Sequence, residues 1–138
     1  MSIAKNSPYA QFKTDANIEL AGINLDFGDF AIRIARAGGS NKKYAKSLMK
    51  HLKPHRKAYS TGTLDPKKQD AILARVYAES VVLDWANVVD RDGKIMEFSV
   101  ENCVKLLTDL PELFRQIVQD AENYHNFKEV ETEEIAKN

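Results

Sequence analysis

Apolar and polar residues alternate at Ile23, Leu25 and Phe27, and again at Phe30, Ile32 and Ile34, on either side of a Gly28-Asp29 pair. A period of two suits strands with one buried face, and a Gly-Asp pair supplies a tight turn, so residues 23–36 are expected to form a β-hairpin. A lone hairpin is marginal in water, and its apolar face must lie on helices or on another chain. Residues 1–20 show no sustained period and read as a flexible N-terminal arm.

After Ala37-Gly38-Gly39 the period lengthens. Ser40 or Asn41 is placed to cap a helix in which Tyr44, Leu48 and Leu52 recur every four residues, and Pro54 ends that helix at Lys53. A further short turn through Tyr59 leads to the loop Ser60-Thr61-Gly62. Asp65-Pro66 marks the next helix start, an acidic cap followed by proline at the first helical position. Its apolar residues, from Ile72 through Tyr77 and Trp85 to Val88, predict a central helix running to about Val89. Asp90-Arg91-Asp92-Gly93-Lys94 turns the chain. Ser99 caps a helix with Val100, Val104 and Leu107 on one face, and Pro111 breaks or restarts it ahead of Leu113, Phe114, Ile117 and Val118. The expected fold is mainly α (α+β), an N-terminal β-hairpin followed by a small bundle of about four to five helices. One helical domain would span 21–127, ahead of an acidic C-terminal tail at 128–138.

With 138 residues there is room for one core. No apolar run approaches the roughly 18 residues of a membrane span, and MSIAKNSPYAQF lacks the apolar centre of a signal peptide. These features, with a single cysteine, Cys103, point to the cytoplasm and away from a membrane. Twenty Lys and Arg balance twenty Asp and Glu, but unevenly. Residues 30–64 hold nine bases and no acid, whereas residues 97–138 hold ten acids and four bases. The basic segment suits an acidic partner or nucleic acid, or a solvated helix face. The split also suits head-to-tail self-association.

Catalytic templates fit poorly. Ser47 and Lys50 have Ser-x-x-Lys spacing without its companion motifs. His51 and His55 have the spacing of a zinc pair, but Pro54 lies between them and no Glu is adjacent in sequence. Counting from Asp90 as position one, the calcium-loop glycine falls at position four instead of six. Gly38-Gly39 lacks the rest of a phosphate loop. Cys103 reads as a small core residue. The chain is read as a non-enzyme, with no catalytic, cofactor-binding or metal residues and no cofactor.

The order of several segments resembles the tail assembly chaperones of long-tailed bacteriophages (siphoviruses). They are FAIRIARAGGSNKKYAK from Phe30, Lys53-Pro54-His55-Arg56, Gly62-Thr63-Leu64, YAESVVLDWANVVDRDGK from Tyr77, FSVENCVKLL from Phe98 and DLPELF from Asp109. The resemblance covers Ile23 to Phe127. It implies a protein that acts in the host cytoplasm during tail morphogenesis and is absent from the mature virion. Its partners would be the tape-measure protein, which it keeps soluble, and the major tail (tube) protein, which it helps recruit.

A tape-measure protein presents long amphipathic helices that aggregate unless covered, and a small helical domain can cover them. The candidate residues for an acidic partner are Arg33, Arg36, Lys42, Lys43, Lys46 and Lys50; for an apolar client they are Trp85 and Phe114. The alternatives are a small nucleic-acid-binding protein using residues 30–64, or a structural tail component. Neutral overall charge and few aromatics in the basic segment weigh against nucleic acid.

Overall fold

In the computed structural model, which describes residues 4–129, the hairpin forms as its alternation predicts. Ile23–Asp26 (β1) and Ala31–Ile34 (β2) pair antiparallel, with Ile23 opposite Ile34 and Leu25 opposite Ile32. Gly28, at φ 88°, takes the first central turn position, where a left-handed backbone matches the twist of the strands. Phe27 and Phe30 flank the turn, stacked at 4.9 Å, and the Phe27 N–H donates to the Phe30 carbonyl.

The largest departure from the sequence reading concerns residues 65–89. The central helix ends at Ser80, and Val82–Ala86 (β3) is a strand paired antiparallel with β2, giving a sheet of order β1-β2-β3. The adjoining Val81 and Val82 are β-branched and favour extended backbone. The helix end is also secured from a distance. The Ser80 hydroxyl donates to the Val76 carbonyl at 2.6 Å, and the Asn41 side-chain amide donates to the Ser80 carbonyl at 2.8 Å. The Asn41 bond satisfies a carbonyl that a continuing helix would have used, while the Ser80 hydroxyl bonds back one turn within the helix.

The first twenty residues carry more structure than their aperiodic sequence suggests. Pro8–Phe12 (α1) is capped by Ser7, and Ala16–Ala21 (α2) by Asp15, whose carboxylate accepts from the N–H groups of Asn17 and Ile18. The five helices after the hairpin are Lys42–Leu52 (α3), Arg56–Ser60 (α4), Pro66–Ser80 (α5), Val100–Asp109 (α6) and Pro111–Glu122 (α7). A 3-10 turn over Lys53–His55 joins α3 to α4 at Pro54. The caps at Asp65 and Ser99 form as the sequence indicates, and Pro111 opens α7.

The inner face of the sheet packs on α5, α6 and α7. Ile32 and Ile34 meet Tyr77, Ala78, Cys103, Leu107, Ile117 and Ala121 in one buried cluster. Of the expected acidic tail at 128–138, Lys128 bridges to Thr14 and Glu129 pairs with Lys13 at 3.6 Å; residues 130–138 lie outside the described residues. Among the described residues no helix is long and apolar enough to cross a membrane.

Candidate partner-binding surfaces

Where α6 gives way to α7 at Leu110-Pro111, the change of direction opens a groove against α5. Leu73, Ala74, Leu107, Pro111, Phe114 and Val118 line it, and Lys67, Asp70 and Arg115 stand among its polar neighbours. Its volume is about 620 Å³ and its lining is mostly apolar. Leu107 and Ala74 form a buried floor, while Phe114 is half-buried. The Phe114 ring meets Tyr77 edge-on at 5.3 Å, and Tyr77 meets Tyr44 edge-on at 5.9 Å, so the groove wall is braced through α5 to α3. Burial pushes the Tyr77 hydroxyl well above its ordinary pKa, which keeps it neutral.

The second surface is basic. On α3, Tyr44, Ser47, Leu48 and His51 turn inward or lie half-covered, whereas Lys42, Lys43, Lys46 and Lys50 are exposed. Lys43, Lys46, Lys50 and Lys53 follow one another at helical spacings of three and four, which places them along one face. Arg56 and Lys57 on α4 extend the exposed positive surface. Among the described residues, none of these six cations makes an ion pair. On the inner side, the Ser47 hydroxyl and His51 Nε2 both bond Glu79 Oε2, at 3.1 and 2.9 Å. Burial pushes the Glu79 carboxyl up, but the bonds from His51 and Ser47 outweigh it and lower its pKa. Ser47 therefore bonds a carboxylate, an arrangement that fastens α3 to α5.

Two of the six basic candidates bond groups of their own chain. Arg33 donates from Nε to the Ala21 carbonyl at 2.7 Å and from Nη1 to Asn24 Oδ1 at 3.3 Å. Arg36 donates to the buried Glu19 carboxylate at 2.5 Å. The Arg36 charge is paired with Glu19, whereas Arg33 bonds only neutral acceptors on the outer sheet face and keeps its charge beside the groove there.

Trp85 and Phe114 do not share a surface. Trp85 stands on β3 opposite Ile32, donates its indole N–H to the Met96 carbonyl at 2.8 Å, and meets Phe98 edge-on at 5.1 Å. It fastens the segment after β3 to the sheet. A shallow groove of about 460 Å³ lies over the outer sheet face between Asp26, Ala31, Arg33 and Ala86, with Trp85 at its side. Sequence reasoning missed this face because it exists only once β3 is recognised; the Val81-Val82 pair ahead of Trp85 was the available signal. Cys103 is fully buried, and burial pushes its thiol up to about 12. Among the described residues no group of three or more His, Cys, Asp or Glu is placed to hold a metal ion.

The family model described as YdaY prophage protein matches residues 39–138, which include α3 to α7 and β3. No curated protein and no solved structure matches the chain. A match over well more than half of the sequence shows the family: this chain belongs to the YdaY prophage proteins and is phage-derived.

Proposed function

We propose that this phage-derived chain is a non-enzymatic tail assembly chaperone that binds the tape-measure protein in the host cytoplasm, keeps it soluble, helps recruit the major tail tube protein, and is left out of the finished particle. The observation that carries this reading is the apolar groove between α5, α6 and α7. Its walls are helices, so an amphipathic client helix can lay its i, i+3, i+4 and i+7 residues between Leu73 on one side and Phe114 and Val118 on the other. Its polar neighbours carry both signs of charge, which suits the mixed polar flank of such a helix.

The test is co-expression with the tape-measure protein of the same prophage, reading the soluble fraction and co-purification. The expected outcome is a soluble complex holding several copies of this chain per client. Thr108→Glu places a charge at an exposed groove position and should abolish rescue without unfolding the chaperone. A client that stays insoluble with and without this chain overturns the reading.

The lysine surface of α3 favours a second reading, a nucleic-acid-binding protein. Four exposed lysines and the neighbouring Arg56 and Lys57 could neutralise several phosphates. This reading requires DNA or RNA affinity that falls steeply as salt rises from about 50 to about 200 mM. Absence of such binding disposes of it and leaves the chaperone reading untouched.

A further inference from the structure

The free edge of β1 is self-complementary, and we propose that it pairs with the same edge of a second copy, joining two sheets into one six-stranded sheet across a two-fold axis at Leu25. The Phe27 N–H bonds the Phe30 carbonyl, which makes Phe27 and Phe30 a hydrogen-bonded pair. In an antiparallel ladder such pairs alternate with non-bonded ones. Leu25 with Ile32, and Ile23 with Ile34, are therefore the bonded pairs of the hairpin, and the backbone groups of Asn24 and Asp26 point away from β2. Among the described residues no hydrogen bond is made to those outward groups. The edge is also unblocked by Lys, Pro or a bulge: residues 23–27 include neither residue, and the ladder irregularity lies on the β2–β3 side.

Only one two-fold register fits. An axis at Asp26 would set Asp26 against its own copy, placing like charges opposite. An axis at Asn24 would pair Asp26 with Gly22, whose N–H is already given to the Ile18 carbonyl. An axis at Leu25 pairs Asn24 of each chain with Asp26 of the other. The side chains agree with this. Arg33 can only donate, so its contact fixes Oδ1 of Asn24 toward Arg33 and leaves the Asn24 amide nitrogen as a free donor. Asp26 uses Oδ1 to accept from the Gly28 N–H, leaving its other oxygen as acceptor. Both groups lie on the outer face, where Asn24 aligns with Arg33 and Asp84, and Asp26 with Ala31 and Ala86. On the inner face Ile23, Leu25 and Phe27 are only half-buried, so a second edge would cover apolar surface as well as backbone.

The test is sedimentation of the full chain from about 10 µM to about 500 µM, a range suited to a small interface. The wild type should shift from monomer to dimer. Asn24→Asp keeps the acceptor for Arg33 but sets two Asp–Asp pairs across the axis, and should weaken dimerisation about tenfold or more. Adding Asp26→Asn restores one donor and one acceptor at each pair, and should return the dimer. Leu25→Cys should give an interchain disulfide on mild oxidation, because Cα atoms of a non-bonded antiparallel pair lie within disulfide reach. A wild type that stays monomeric throughout, or a dimer indifferent to Asn24→Asp, overturns the proposal. Either result is independent of the chaperone reading, which rests on the groove between α5, α6 and α7 and shares no residue with this edge.

Discussion

Glu19 and Arg36 are joined twice. The Arg36 guanidinium donates to Glu19 Oε2 at 2.5 Å, and the Arg36 backbone N–H donates to the Glu19 carbonyl at 3.0 Å. Glu19 is 3% exposed, and the Ser40 hydroxyl donates to its other oxygen at 2.9 Å. The pair fastens α2 to the segment between β2 and α3. A carboxylate in that position would be costly unpaired, and here each of its oxygens accepts a bond.

Glu19→Gln should therefore lower stability by about 1–3 kcal/mol near neutral pH, since a charge-assisted bond is weakened while the partly exposed Arg36 keeps access to water. Burial pushes the Glu19 carboxyl up, but the bonds from Arg36 and Ser40 and the Arg36 charge together outweigh it and hold the carboxyl below its ordinary 4.5. Because the folded-state value lies below the unfolded one, this contribution is complete above about 4.5 and is lost as pH falls through the folded value. Urea unfolding of wild type and Glu19→Gln should show a stability gap at neutral pH that closes in acid. A gap that stays constant as the carboxyl titrates would place its origin in packing.

Gly22 and Gly28 have nearly the same backbone, φ 86° and φ 88°, but different surroundings. A Cβ at Gly22 would lie 2.5 Å from the Ile34 carbonyl oxygen and 2.9 Å from its carbon, whereas one at Gly28 would meet nothing within 4 Å. Gly28→Ala should cost roughly 1–2 kcal/mol from the left-handed conformation alone. Gly22→Ala carries that cost and must also push two backbone segments apart, so its loss should exceed that of Gly28→Ala by more than about 1 kcal/mol. Thermal unfolding of the two variants side by side measures the difference; equal losses would mean that α2 and β2 move apart freely.

What could be read along the chain was whatever short-range chemistry decides. The turn at Gly28-Asp29, the caps at Asp65 and Ser99 and the break at Pro111 each depend on residues within about four positions of one another. The strand at Val82–Ala86 depends on β2 needing a second neighbour and on Asn41 reaching the Ser80 carbonyl across 39 positions. Helical periodicity through Trp85 was the wrong guide there, because a short apolar run reads alike as buried helix or strand. The same distinction divides the candidate surface. Lys42, Lys43, Lys46 and Lys50 are exposed as their helix requires, while Arg33 and Arg36, indistinguishable from them in composition, are taken up by Ala21, Asn24 and Glu19. Phe114 reaches a groove, but the groove depends on how α5, α6 and α7 meet, which no local pattern encodes.

Cys103 should be inert in the folded protein. It is fully buried among Ile32, Leu107 and their neighbours, and burial alone pushes its thiol up to about 12, so little thiolate exists at neutral pH. A thiol reagent should modify it only as fast as the chain opens, with labelling accelerating in urea in step with global unfolding. Prompt labelling of the native protein would mean that the α6 face opens locally. Cys103→Ser should lose about 1–3 kcal/mol, because it buries a polar hydroxyl among the apolar side chains of the core.

The lysines of α3 act against their own helix. Lys42 and Lys43 occupy the first turn, which has no acidic residue, and Asn41 makes no side-chain capping bond there because its amide is turned toward Arg36 and Ser80. Positive charge at this end opposes the helix dipole, and Lys43, Lys46 and Lys50 repel one another at spacings of three and four. Lys42→Gln with Lys43→Gln should therefore raise stability by about 0.5–1 kcal/mol at low ionic strength. For a chain of this length that is a melting-temperature gain of roughly 1–4 °C. The gain should shrink in about 0.5 M salt, where screening shortens the reach of each charge to a few ångströms. If the same double variant also weakens binding to an acidic macromolecule, the lysines serve binding at a measurable expense to the fold. No gain at low salt would mean that the first turn of α3 is already neutralised by acids of the same chain.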